Sequence, residues 1–396
     1  MAEWNEYTVA DVISTVIDYR GKTPKKLGGD WSDHGYRALS AKNVKTGKIV
    51  NPDSIRYVSQ ELYNNWMKEE IEKEDILITS EAPFGQIYYW DSDEKIVLSQ
   101  RLFAVRICKE FYPKYIYFYM TSSAFQAELN SRATGTTVTG LRQPELLKCK
   151  ILAPDYNEQK RIADILWSIE KKIDLNEEIN NNLLEQAQAI FKREFLDIDE
   201  FPVGWSKSNL TSIANYMNGL AMQKYRPSDT EIGVPVLKIK ELRQGFCDSD
   251  SELCSPSIKS DYIITDGDVI FSWSGSLLVD FWCGGKCGLN QHLFKVTSNT
   301  YDPWFYFAWT NYHLAEFAHI AASKATTMGH IKRNDLEKAI VIIPSQKDYA
   351  RIGELLSPIY KSIVANRLEN NKLTQLRDEL LPQLMSGELN VSEVEI

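Results

Sequence analysis

The sequence predicts an α+β protein built as a tandem repeat, in which a mixed-sheet domain is followed by a long helix, twice over, and the two helices pair as a coiled coil. Three observations predict it. The stretch "GTTVTGLRQPELLKCKILAP" (Gly135–Pro154) returns as "ATTMGHIKRNDLEKAIVIIP" (Ala325–Pro344) without a gap, every position 190 apart. The same offset continues downstream, pairing Arg161 with Arg351, Ile169 with Ile359 and Leu183 with Leu373, but upstream it drifts: "DILITS" (Asp75–Ser80) faces "DVIFSW" (Asp268–Trp273) at 193 and "LSQRLF" faces "LNQHLF" at 191. A drifting offset marks surface loops that tolerate insertion, and a fixed one marks an element with a packing register. Third, apolar residues recur at alternating spacings of four and three after each repeat, as a helix seam requires.

In order along the chain, residues 1–154 form the first domain. Its β-type runs are "DILITS", "KIVLSQRLFAVRI" and "CKILAP", and Lys114–Asn130 reads as helical. Pro154 ends the last strand and opens a helix over 155–196. Its seam holds Ile162, Leu166, Ile169, Ile173, Asn176, Asn180, Leu183, Ala187 and Ile190. "LDIDEFPVGW" (Leu196–Trp205) is the joint to a second domain at 197–344, with runs "DVIFSW", "HLFKVTS" and "KAIVIIP" and a helical stretch Trp304–Ala322. The second helix, 345–390, repeats the seam from Ile352 to Leu380, with Asn366 and Asn370 where the first has Asn176 and Asn180. Two readings fit these asparagines: they face each other and fix register, at some cost in stability, or the helices splay there and they are solvated. At 1.5 Å per residue each helix is about 50–60 Å long, the length of a ruler.

Bulk properties bound the function. The 396 residues exceed one core, and 43% apolar with 25% charged residues is ordinary for a soluble globular protein. No apolar run is long enough to span a bilayer, the start is acidic rather than signal-like, and six cysteines lack a disulfide framework, so a reducing cytoplasm is expected. The net charge of −9 looks wrong for a nucleic-acid binder, but the acidic excess lies mostly in 155–200 and 345–396. The two large domains are near neutral and can each carry a basic face.

Together these residues resemble the specificity subunit of type I restriction–modification systems. The likeness rests on the order of several motifs: "APDYNEQKRIADIL" with Glu158-Gln159 at the helix entry, "FPVGW", "GTTVTGL", "LNQHLF" and the terminal "LLPQLMSGELNV". The second helix entry, "IPSQKDYARIGELL", lacks the Glu-Gln pair. The resemblance implies two target-recognition domains, each reading one half of a split site in double-stranded DNA, with the helices packed as an antiparallel spacer. It implies two adenine-methyltransferase partners and, where present, a motor-nuclease subunit, with catalysis left to those partners. No cofactor, metal, membrane or small-molecule substrate is implied.

Catalytic signatures do not compete with this reading. There is no Asn/Asp-Pro-Pro-Tyr/Phe motif, and no GxxxxGK[ST] for a motor. Asp229, Glu231 and Lys238 can be grouped into a nuclease-like set, as in any acidic chain. Cys247, Cys254, Cys283 and Cys287 lack tight knuckle spacing and read as buried thiols rather than a zinc site. His313, Glu316 and His319 share a helix, where packing is the ordinary role. The aromatic runs "PKYIYFYM" and "PWFYFAWT" read as core helices opened by proline.

Phosphate contacts need Lys, Arg or backbone N–H, and base readout needs polar tips on groove-facing loops. In the first domain that selects Arg20, Lys22, Lys25 and Lys26 in "YRGKTPKKLGG", Ser80 and Gln86 after the strand "DILITS", and Thr136, Thr137, Arg142 and Gln143. In the second it selects Gln223, Lys224 and Arg226, then Ser274 and Ser276, then Lys324, Thr326, Thr327, Lys332 and Arg333. Because the domains differ most in these loops, an asymmetric site is expected. The competing class is a standalone two-domain DNA-binding or scaffold protein assembled through its coiled coil.

Overall fold

A computed structural model describes residues 3–134, 139–198, 200–323 and 329–394, and every structural statement below concerns these. It divides into two compact units, Met1–Lys171 with Leu373–Ile396, and Lys172–Lys372.

In the first unit a four-stranded antiparallel sheet has the order Ile13–Asp18, Leu102–Ile107, Ile76–Thr79, Ile87–Tyr89. All four residues of Ile76–Thr79 are buried, as the unbroken apolar run in "DILITS" requires of an inner strand. A second sheet runs Arg56–Val58, Tyr36–Leu39, Val97–Leu98, and its last pairing is parallel, so the sheet content is mixed. Asn5–Thr8 pairs with Lys150–Ala153. The second unit repeats this plan: Asn215–Asn218, Leu293–Thr297, Val269–Ser272 and Leu278–Phe281 in the same order, a smaller sheet with one parallel pairing, and Ser206–Asn209 against Ile340–Ile343.

Three predicted elements are split. "KIVLSQRLFAVRI" forms Val97–Leu98 in one sheet and Leu102–Ile107 in the other, because Arg101 takes a left-handed conformation (φ +62°) and turns the chain between them. Each predicted aromatic helix is two helices. In the first unit they are Pro113–Thr121 and Ser123–Ser131, broken where Ser122 goes extended and its Oγ caps Phe125 N at 3.3 Å. In the second they are Pro303–Tyr312 and Leu314–Ser323. Their rings are core: Tyr115, Phe118, Phe305 and Trp309 are all buried.

The long helices span Tyr156–Phe191 and Gln346–Ser386. Asp155 Oδ1 caps the first, accepting from Asn157 N (2.9 Å) and Glu158 N (3.1 Å). Gln159 then ties the helix to its domain, with Oε1 accepting from Tyr112 N (2.9 Å) and Nε2 donating to Pro154 O (2.9 Å). At the equivalent entry Ser345 is the cap, and Tyr349 stands where Gln159 would, its hydroxyl accepting from Asp302 N at 2.8 Å. Asp302 is the repeat partner of Tyr112, so the missing Glu-Gln pair is replaced by a tyrosine that makes the same link.

Within the second unit the two helices run antiparallel. Asn176 Nδ2 donates to Asn370 Oδ1 (2.8 Å) and to Glu369 Oε2 (2.7 Å), and Asn366 Nδ2 donates to Asn180 Oδ1 (2.9 Å). Asn176 is 1% exposed and Asn180 6%. Within the first unit Arg377 Nη1 meets Glu170 Oε1 at 2.8 Å, while Ile162, Leu166, Leu380 and Leu384 are buried.

Near the end of the first helix Glu194 lies between Arg351 (2.7 Å) and Arg193 (2.6 Å). The hydrogen bond from Arg351, with Arg193 adding to it, holds its carboxyl below the usual range against the opposing effect of burial. A depressed folded pKa means that this stabilisation is present above the unfolded value and lost as pH falls through the folded one. Glu194→Gln is therefore expected to lower Tm by a few degrees at neutral pH, with the gap to the parent protein closing below about pH 4. Thermal melts across that range check it.

Candidate nucleic-acid interface

The polar tips picked from the first domain's sequence converge only in part. A cleft of about 960 Å³ in the first unit is lined by Arg20, Ser80, Arg142 and Gln143, together with Asp18, Glu81, Gln100 and Arg101. Three arginines face two carboxylates there, leaving a net positive floor.

Each wall follows from local structure. Arg20 leaves the end of strand Ile13–Asp18, is gripped by Asp18 (Nε 3.0 Å, Nη2 2.6 Å), and lies 4.9 Å over the Phe103 ring. Ser80 is 4% exposed and acts as a zip, since its N and Oγ both donate to Arg101 O (2.8 and 3.2 Å) while its carbonyl accepts from Leu141 N (2.9 Å). It shapes the cleft without offering its hydroxyl to a ligand. Arg142 is the N-terminal cap of the short helix Gln143–Leu147 and is exposed, while Gln143 at its first position is half-buried.

The remaining first-domain residues sit elsewhere. Lys22 turns back, with Nζ donating to Trp66 O (3.0 Å) and lying 4.4 Å over Tyr19. Burial, and secondarily Lys68, lowers its pKa. Lys25 and Lys26 are exposed on the capped turn Pro24–Leu27, Lys26 donating to Gly21 O at 2.7 Å. Gln86 does not line the cleft; its Oε1 accepts from Thr46 N (3.0 Å) and pins the neighbouring hairpin. Thr136 and Thr137 lie outside the described residues.

The second unit has a cleft of about 320 Å³ in the equivalent place, lined by Asn218, Trp273, His330, Lys332 and Arg333 among others. Lys332 and Arg333 are the repeat partners of Arg142 and Gln143, and Trp273 that of Ser80. Ser274 is buried, with its Oγ 3.3 Å from His292 Nδ1. Ser276, Gln223 and Lys224 are exposed away from this lining, and Arg226 pairs with Glu252. Lys324, Thr326 and Thr327 lie outside the described residues.

Sequence reasoning missed the cleft-lining residues Glu81, Gln100, Arg101, Trp273 and His330. The signal was present: "LSQRLF" and "LNQHLF" hold one frame with different tips, yet served only as an alignment anchor.

Among the described residues no group of three or more His, Cys, Asp or Glu is placed to hold a metal ion, and no helix is long and apolar enough to cross a membrane. His313 is buried, with Nε2 2.8 Å from Ile340 O. Glu231 is occupied by Ser255 and Ser257 (2.9 Å each).

The profile of the type I restriction modification DNA specificity domain matches residues 1–185 and again 202–376. Over 94% of the chain and 87% of the relative, the sequence is 25% identical to the type I restriction enzyme MjaIX specificity subunit of Methanocaldococcus jannaschii. It is 23% identical to the EcoKI specificity subunit of Escherichia coli K12, covering 97% of this chain and 89% of that one. The crystal structure of a type I S subunit from M. genitalium shares the fold at a TM-score of 0.63 and 14% identity, over 97% of this chain and 96% of that one. With both repeats matched and full-length relatives on either side, the chain belongs to the family of type I restriction–modification specificity subunits.

Proposed function

We propose that this chain is the DNA-recognition subunit of a type I restriction–modification complex, reading a bipartite, asymmetric site with one cleft for each half-site. Its helical spacer sets the half-site separation, and the chain positions two adenine-methyltransferase subunits, with a motor-nuclease subunit where one exists. One observation carries the reading: the two units place a cleft at the same point of the same strand order, polar in the first and largely aromatic with Lys332, Arg333 and His330 at its rim in the second, with a shared frame and different tips. Two readers of different half-sites need that combination, because phosphates are common to every sequence and base edges are not.

Co-expression with the neighbouring methyltransferase genes, followed by sequencing of modified adenines, tests it. A split, non-palindromic motif is expected; a palindromic one overturns the asymmetry, and methylation without this chain overturns the role. Lys25→Glu with Lys26→Glu is expected to weaken the complex's DNA binding about tenfold and to reduce the salt slope by about two, without altering base preference. Binding isotherms at several salt concentrations measure both.

A further inference from the structure

Inside the first unit's cleft, Arg101 and Glu81 form an ion pair, Nε to Oε1 at 3.0 Å, with side chains 49% and 35% exposed. Both line the cleft floor, and neither is used to build it through its side chain. Arg101 has a second peculiarity. It occupies a left-handed conformation (φ +62°) that glycine adopts freely and a residue bearing a Cβ adopts under strain. The carbonyl of this turn is held by both Ser80 N and Ser80 Oγ, so the strain is locked in. Burial does not explain an arginine here, since the side chain is half exposed. Strain kept at a position without a packing reason points to a use for the side chain.

The repeat sharpens this. Arg101 corresponds to His292 in the frame "LSQRLF"/"LNQHLF", and Glu81 corresponds to Ser274, one residue beyond "DILITS"/"DVIFSW". In the second unit those two residues again meet, Ser274 Oγ lying 3.3 Å from His292 Nδ1. The same two loop positions are therefore brought together in both units, with different chemistry in each. Around that pair Trp273 lies 6.1 Å from both the His292 and the His330 ring centroids.

We propose that in the first unit Arg101 and Glu81 form the specificity-determining contact and read a G·C base pair. The proposal rests on the DNA-reading function above. A guanidinium forks onto guanine O6 and N7, and a carboxylate accepts from cytosine N4–H₂, so one side-chain pair matches the two edges of one base pair in the major groove. The ion pair holds both groups ready in the free protein, and its exposure lets each exchange its partner for a base. Ser274 and His292 cannot form that fork, Ser274 is buried, and neither lines the second unit's cleft, so the G·C contact is confined to the first unit.

The test uses the full complex with its methyltransferase subunits and a duplex library randomised over both half-sites, comparing the parent protein with Arg101→Gly, Arg101→Lys and Glu81→Gln. Arg101→Gly relieves the backbone, so a thermal melt at or above the parent's shows that folding is intact. The expected result is a loss of about 10- to 100-fold in affinity for the native site, with preference lost at one G·C pair of one half-site and the other half-site unchanged. Arg101→Lys keeps the charge and the salt slope but loses most of the discrimination. Equal weakening across all sequences makes Arg101 a phosphate contact and overturns the proposal, as does an unchanged preference at every position. If the parent complex neither binds nor methylates any duplex, the DNA-reading function itself fails, which is a distinguishable outcome.

Discussion

Trp167→Ala is expected to lower the unfolding free energy of the first unit by about 3 kcal/mol, the lower end for loss of a large aromatic because the ring is half-buried. Trp167 projects from the first long helix into a nest of rings, with centroids 5.0 Å from Tyr89, 6.3 Å from Phe118 and 6.4 Å from Tyr117, all near edge-to-face. Lys114 and Lys171 cover it, with Nζ at 4.7 and 4.6 Å from the ring. Edge-to-face pairs and cation–π contacts add to the area buried, so the loss exceeds a simple transfer estimate. On the proposed function the consequence extends to recognition, because a domain loosened from this helix would read its half-site at a less defined distance. Trp167→Phe, which keeps the edge-to-face geometry, is expected to recover more than half of the loss. Denaturant melts monitored on the remaining tryptophans measure the stability, and methylation of sites with altered spacing measures the looseness. An unchanged melt for Trp167→Ala shows that the nest is not a structural joint.

How much of this was legible follows residue by residue. The fixed 190 offset announced the strand-to-helix entry, and Gln159 with Tyr112 explains why nothing inserts there: one side chain reaches across to a set backbone N–H. Tyr349 at Asp302 was not legible, because a phenol replacing an amide keeps the bond and changes the letter. The aromatic helices were read as core from their period, and Tyr115, Phe305 and Trp309 are buried accordingly. The break after Leu98 was invisible to periodicity, since the turn rests on Arg101's backbone conformation and arginine carries no turn signal. Lys22 shows the limit of reading charge as contact: four cations within seven residues suggested a phosphate loop, but one is spent on Trp66 O and Tyr19. Composition tells which side chains can touch a phosphate, and only the fold tells which are already engaged.

Replacing Asn176 and Asn370 together by leucine is expected to raise the stability of the second unit by about 1–2 kcal/mol while reducing the precision of helix register. The two amides are satisfied only by each other and near neighbours: Asn176 donates to Asn370 and Glu369, and Asn370 Nδ2 donates on to Ile173 O at 3.3 Å. Asn180 and Asn366 form the next rung. A shift of either helix by one turn would strand these amides against apolar seam positions such as Ile173 and Ile363, leaving buried polar groups unpaired at about 1–3 kcal/mol each. Leucine at the same places removes that penalty for the native register and for the shifted ones alike. The single variant Asn176→Leu separates the two effects, because it leaves Asn370 facing an apolar neighbour and is expected to destabilise by about 1–3 kcal/mol. Calorimetric melts of the single and double variants give the sign of each change. Assaying the complex on duplexes whose half-sites are one base pair closer or farther apart gives the functional readout, and the double variant is expected to accept the altered spacings that the parent protein rejects. A double variant that is more stable and still as selective for spacing assigns register to the apolar seam alone, with the asparagines reduced to tolerated polar residues.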